Sequence, residues 1–154
     1  MPIEIERKFL LKHEGWRKQC NDGVVIKQGY LNSHKERTVR VRVKGDKGFL
    51  TIKGKSENLS RAEFEYEISL ADAENMLALC EKPLIEKTRY LVKRYDCLWE
   101  IDVFEGENKG LIVAEVELPH EDFQVELPDW IGEEVSDDSR YFNSSLISKP
   151  FCKW

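Results

Sequence analysis

The sequence predicts an α+β fold that is mainly β: about eight antiparallel strands, one main helix and several short ones. Three observations predict it. Segment after segment alternates apolar and charged residues with a period of two, as a strand with two unlike faces does. The connections between these segments are short and rich in turn residues, which makes neighbouring strands antiparallel. Only one stretch, Ser69 to Cys80, spaces its apolar residues as an amphipathic helix. With 154 residues and no linker, repeat or low-complexity stretch, residues 1–154 are expected to form a single domain.

In chain order, Ile3–Leu10 is the first strand, with Glu4, Glu6 and Lys8 on one face and Ile3, Ile5 and Phe9 on the other. Lys12–Cys20 is expected as a short helix or turn, broken by Gly23, and Val24–Leu31 as the second strand. Thr38–Lys44 sets Arg40, Arg42 and Lys44 against Val39, Val41 and Val43. Gly45–Gly48 has turn composition, so Phe49–Lys55 returns as a hairpin with Thr51, Lys53 and Lys55 on one face. Arg61–Ile68 places Glu63, Glu65 and Glu67 opposite Phe64, Tyr66 and Ile68. Ser69 followed by Asp72 marks a helix start, and Ala73, Met76, Leu77 and Cys80 form its apolar stripe, with Pro83 beyond the end. Leu84–Tyr95 carries Lys87 and Arg89 on one face, Leu98–Phe104 carries Glu100 and Asp102, and Leu111–Leu118 carries Glu115 and Glu117. The tail is expected to end in a helix near Ser139–Ile147.

The chain is acidic, with a net charge of −5 and a pI near 5.4, which weighs against a nonspecific nucleic-acid binder. No apolar run approaches the roughly 20 residues of a membrane-spanning helix. Met1–Leu10 is charged throughout and reads as no signal peptide, so a cytoplasmic protein is expected, with Cys20, Cys80, Cys97 and Cys152 reduced. His13, His34 and His120 lack metal-site spacing and are expected at the surface. Trp16, Trp99, Trp130 and Trp154 are expected to be packing residues. Asn143 is expected to bond to backbone in the tail.

Two arrangements fit these strands. In one, apolar faces meet in an ordinary core and the charges are solvated. In the other, the sheet closes into a barrel with the charged face inward, and helices and loops cover the apolar outside. Charge segregation favours the second. Glu4/Glu6, Glu63/Glu65/Glu67 and Glu115/Glu117 are acidic sets, while Arg40/Arg42/Lys44, Lys53/Lys55 and Lys87/Arg89 are basic sets. Like charges two residues apart on one face repel, and a solvated strand has little reason to repeat that arrangement. Eight strands enclose a space wide enough for side chains or one small ligand. A cavity with an acidic and a basic side suits a polyanion carrying hard divalent cations.

Glu4-Ile5-Glu6-Arg7-Lys8 is similar to the Glu-x-Glu-x-Lys signature of the CYTH proteins, the triphosphate tunnel metalloenzymes. The resemblance continues in order through Gln28-Gly29-Tyr30-Leu31, Arg40-Val41-Arg42, Leu50–Gly54, Glu63-Phe64-Glu65, Lys87–Tyr90, Glu100–Phe104, Ala114–Leu118 and Arg140-Tyr141-x-Asn143. It implies an eight-stranded antiparallel tunnel that binds a triphosphate with Mg2+ or Mn2+. It also implies metal ligation by Glu4, Glu6, Glu115 and Glu117, with Asp102 as a further acidic partner near the metal. Arg40, Arg42, Lys53, Lys87 and Arg89 are implied as the triphosphate clamp, Lys8 and Tyr30 as catalytic residues, and Glu63 and Glu65 as supports of the basic residues. Lys44, Lys55 and Glu67 continue the alternation nearer the strand ends.

The expected activity is hydrolysis of inorganic tripolyphosphate, with nucleoside triphosphates secondary. A class IV-type adenylyl cyclase, a thiamine triphosphatase and a non-enzymatic polyphosphate-binding module are the alternatives. The full acidic set together with Lys8 argues against the last of these, and the short turns leave no visible base-reading pocket. The partner expected is a small-molecule triphosphate, with no nucleic acid or membrane partner and a homodimer as one option for assembly.

Overall fold

In a computed structural model, which describes residues 3–154, the strands are β1 (Ile3–Leu11), β2 (Val24–Asn32), β3 (Arg37–Lys44), β4 (Lys47–Gly54), β5 (Ser60–Ile68), β6 (Ile85–Arg94), β7 (Cys97–Phe104), β8 (Ile112–Glu117) and β9 (Ile131–Glu134). The sheet runs β5-β4-β3-β2-β6-β7-β8-β1-β9, and the pairing of β1 with β5 closes eight strands into an antiparallel barrel. β1 is the closing strand. Its residues Glu6–Leu10 pair with β8, Ile3–Ile5 pair with β5, and Phe9 and Leu11 pair with β9.

Turn chemistry fixes two of the hairpins. Between β3 and β4, Gly45 takes a φ of 61° in the first central position, as a type II′ turn requires. Between β6 and β7, Arg94 pairs with Cys97, and the two residues between them, Tyr95 and Asp96, both have positive φ, so the strands end one residue from the expected boundaries. Helix α1 (Leu70–Leu77) starts where Ser69 accepts the Asp72 N–H at 3.1 Å, the cap its sequence predicts.

The apolar residues lie outside the barrel, because its interior is charged. Phe9, Trp16, Trp99, Trp130, Ile101 and Val116 form one cluster. Val41, Ala73, Leu77 and Cys80 form a second under α1. The third joins Tyr30, Ile85, Phe104 and Val113 to tail residues Tyr141, Leu146 and Ile147. Trp16, Trp99 and Trp130 are fully buried, and Phe9–Trp99 and Trp99–Trp130 meet edge to face at 5.7 Å. The cover is incomplete: Ile52, Phe64 and Tyr66 on β4 and β5 remain exposed.

Two tail expectations are corrected. β9 is a ninth strand that Gly132 disguised in the sequence; a Cβ there would sit 3.1 Å from the Leu10 carbonyl oxygen, a tight contact that the bare backbone avoids. The helix expected near Ser139–Ile147 is instead a 3₁₀ turn at Ser139–Tyr141 and a short α2 (Ser145–Ser148). Phe142, Asn143 and Ser144 between them line the barrel interior.

Candidate active site

Strand order sorts the charges. Walking round the barrel, β4, β3, β2 and β6 are contiguous, and so are β7, β8, β1 and β5. The first half presents Lys53, Arg40, Arg42, Lys44, Lys87 and Arg89; the second presents Glu100, Glu115, Glu117, Glu4, Glu6, Glu63 and Glu65. They enclose a cavity of about 450 Å³. Two cations stand among the acids: Lys8, 3.6 Å from Glu115, and Arg61, 3.7 Å from Glu4.

Most cations on the wall are held by a carboxylate. Lys53 Nζ lies 2.9 Å from both oxygens of Glu4 and 3.4 Å from Glu63. Arg40 donates to Thr51 Oγ1, which donates to Glu65 Oε2, with Arg40 and Glu65 3.6 Å apart. Arg42 donates from Nε to Gln28 Oε1. Arg89 reaches Glu100 at 3.0 Å and grips Asp102 with Nε at 2.8 Å and Nη2 at 2.9 Å, while Lys87 Nζ meets Asp102 at 2.7 Å. Glu6 and Glu117 face each other across the β1–β8 ladder, and neither has a cation within 4.0 Å among the described residues.

The field follows from this layout. Burial acts to raise Glu4, but Lys53 and Arg61 override it and its pKa is lowered. Burial and then the Glu115 and Glu4 charges push Glu6 up to about 8. Burial would lower Lys8, yet Glu115 and Glu6 raise it, and the ammonium stays charged. Against the same desolvation, Lys8 and Arg89 hold the Glu115 carboxyl down to about 2. Asp102 is kept well below the carboxylate range, as Arg89 and Lys87 outweigh its burial. Lys87 is pushed down to about 8 by burial, only partly offset by Asp102 and aggravated by Arg89.

The structure brings together Lys8, Tyr30, Arg40, Arg42, Lys53, Lys87, Arg89, Glu4, Glu6, Glu63, Glu65, Glu115 and Glu117 around the one cavity, and Lys44 with them. Asp102 is set apart: it is 1% exposed, lies behind Lys87 and Arg89, and does not line the cavity. Lys55 pairs outside with Glu36, and Glu67 is exposed and away from the lining. Among the described residues no three carboxylate, imidazole or thiol groups converge closely enough to hold a metal ion as they stand, since Glu4 and Glu115 face lysines instead. Sequence reasoning passed over Glu100, which shares Asp102's face of β7 and fills the cavity position. It also passed over Arg61, whose signal was the β5 alternation, and over Ser136 and Phe142, which lie in loop and carried no periodic signal; Asn143 stood in the resemblance but was given no place in the site. Asn143 bonds not to backbone but to the Lys87 ammonium, at 3.0 Å.

A closed antiparallel barrel with a basic and an acidic half facing one buried cavity defines a tunnel protein for a charged small molecule. The chain belongs to the CYTH domain family, whose model matches residues 2–149. It is 49% identical over 152 residues to an inorganic triphosphatase of Acetivibrio thermocellus, covering 98% of this chain and 97% of the relative. An inorganic triphosphatase of Nitrosomonas europaea is 38% identical over 151 residues, 93% of this chain and 95% of that protein. A crystal structure of an inorganic triphosphatase superimposes with a TM-score of 0.67 at 36% identity, covering 93% of this chain and 96% of the other.

Proposed function

We propose that this protein is a divalent-metal-dependent inorganic triphosphatase that hydrolyses tripolyphosphate inside the barrel. The observation that carries the proposal is the division of the cavity wall into a basic half and an acidic half. The two relatives described as inorganic triphosphatases, at 49% and 38% identity over nearly the whole chain, support the same substrate.

Arg40, Arg42 and Arg89, with Lys53 and Lys87, are the residues to take phosphate oxygens, the arginines in two-pronged fashion. Glu6 and Glu117 are opposed in register and without a cation, and Glu6 is crowded by the Glu4 and Glu115 carboxylates, a repulsion that a hard divalent ion would relieve. These residues fit Mg2+ or Mn2+, which when bound neutralises phosphate charge and acidifies water. Lys8, protonated and fixed by Glu115 and the Tyr141 carbonyl at 3.2 Å, stabilises developing charge and orients water rather than removing a proton. Glu63 and Glu65 aim Lys53 and Arg40. Asp102 acts from behind the wall, holding Lys87 and Arg89 in place. Among the described residues no helix is long and apolar enough to cross a membrane.

The test offers purified protein tripolyphosphate, ATP and thiamine triphosphate in parallel, with Mg2+ and separately with Mn2+, following phosphate, pyrophosphate and cyclic AMP. Rapid phosphate release from tripolyphosphate with little from the other two is the expected result. Cyclic AMP with pyrophosphate would replace the proposal with a cyclase, and no product from any of the three would leave a binding module.

A further inference from the structure

From the placement of Asn143 we infer that it is a phosphate-contacting residue of this cavity, its side-chain amide donating to the phosphate group that Lys87 holds. This rests on the reading of the cavity as a triphosphate site.

Four observations on the tail carry it. Asn143 lies between the 3₁₀ turn and α2, where the chain departs from helix and lines the cavity. Its Oδ1 accepts from Lys87 Nζ at 3.0 Å and from Gln28 Nε2 at 3.4 Å. An ammonium has only donors, so the amide oxygen must face Lys87 and the NH2 group must face away. That NH2 has no protein acceptor among the described hydrogen bonds. Nor is it sealed in: the buried side-chain nitrogens lacking a partner are those of Trp16, Arg40, Trp99 and Trp130. A donor group that is unpartnered yet open, on a residue of the cavity wall, is available to an anion in the cavity.

Lys87 supplies the other half. Its three N–H donors include one given to Asp102 Oδ2 at 2.7 Å and one to Asn143, which leaves a third. The ammonium and the amide are thus joined back to back, each with donor capacity to spare. One phosphate group can accept from both. Asn143 is neutral, so it adds hydrogen-bond direction without adding to the repulsion among Arg42, Lys87 and Arg89, the groups already crowded there.

A merely structural Asn143, acting only as acceptor for Lys87, makes a different forecast, and the two are separated by the order of variants. Asn143→Asp is isosteric and accepts from Lys87 better than the amide, so a structural role ranks it with wild type and above Asn143→Ala. A phosphate-donor role ranks wild type above Asn143→Ala, which loses the donors, and Asn143→Asp lowest, since it aims a negative oxygen at the anion. The measurement is calorimetric titration of the metal-free protein with tripolyphosphate, with melting curves of the unliganded proteins alongside. Losing a hydrogen bond to a charged acceptor weakens binding by about tenfold for alanine, and more for aspartate. The aspartate variant keeps the Lys87 contact and the side-chain volume, so it answers the question even where alanine loosens the tail. If alanine binds within twofold of wild type, or aspartate binds no more weakly than alanine, the inference is overturned while the triphosphate reading stands. If wild type fails to bind tripolyphosphate without metal yet hydrolyses it with Mg2+ or Mn2+, the inference alone is overturned; if it neither binds nor hydrolyses tripolyphosphate, the reading falls and this inference with it.

Discussion

Replacing Asp102 with alanine should destabilise the protein more than any other single loss of charge in the barrel. Asp102 accepts three charge-assisted bonds, at 2.7, 2.8 and 2.9 Å, from two cations that are themselves 1% and 7% exposed. Without it, Lys87 keeps only the Asn143 oxygen and Arg89 only Glu100. Breaking a buried pair by removing one partner costs about 3–5 kcal/mol, most of it the penalty of leaving charge buried and unpaired. At about 2–4 °C per kcal/mol for a chain of this size, a loss of about 4 kcal/mol lowers the melting temperature by about 8–16 °C. The assay is thermal unfolding of metal-free protein followed by circular dichroism. Glu86→Ala is the control. Glu86 precedes Lys87 on β6 and pairs with Lys27 at 3.7 Å with both side chains half exposed, so its loss costs at most about 1 kcal/mol. Tripolyphosphate should stabilise Asp102→Ala by a larger shift than it does wild type, because it supplies the missing negative charge. A drop below about 3 °C, or one equal to that of the control, would refute the idea that Asp102 holds the clamp.

Lys8→Met should abolish tripolyphosphate hydrolysis while Mn2+ binding, followed by calorimetry, is retained; turnover near the wild-type rate would sink its assigned role. Tripolyphosphate affinity of the metal-free protein should fall as pH rises through about 8, where Lys87 loses its proton. The stability effect of the same group has the opposite sign: its folded pKa is depressed from 10.5, so between pH 8 and 10.5 the unfolded chain binds more protons and stability gains with pH. Binding that stays flat from pH 7 to 9.5 would show that Lys87 takes no part in the clamp. Trp99→Ala removes a fully buried ring touching Phe9 and Trp130 on the outside of the barrel, at a cost of about 3–5 kcal/mol in denaturant unfolding. Its KM for tripolyphosphate should stay within about twofold of wild type, as the charged interior does not contact that ring.

Period-two alternation located seven strands to within a residue or two, because each of them has one charged and one apolar face and the pleat alone separates them. β2, with Lys27 its one charge, was bounded by Gly23 and its β-branched and apolar run instead. The Ser69 cap and the stripe that follows it located α1 by equally local rules. Gly132 concealed β9, since a glycine reads as a break unless one knows that the Leu10 carbonyl crosses there. Phe142 carried no signal and Asn143 only that of the Arg140-Tyr141-x-Asn143 resemblance, because a loop residue becomes part of a site only through where the tail is laid.

The sequence by itself determined which side chains share a face: Arg40 with Arg42, Glu63 with Glu65, Lys87 with Arg89, Glu115 with Glu117. That information is local, set by the backbone period. It did not determine which strands are neighbours. Along the chain, acidic β5 follows basic β4, and basic β6 stands between acidic β5 and β7. Only the pairing of β6 with β2 and of β1 with β5 gathers the basic strands into one half of the barrel and the acidic strands into the other. The same closure decided that Asp102 lies behind the wall and Glu100 on it, although both share one face of one strand. A strand's position and tilt in a closed barrel set how deep each residue on that face lies, and depth is a property of the whole sheet.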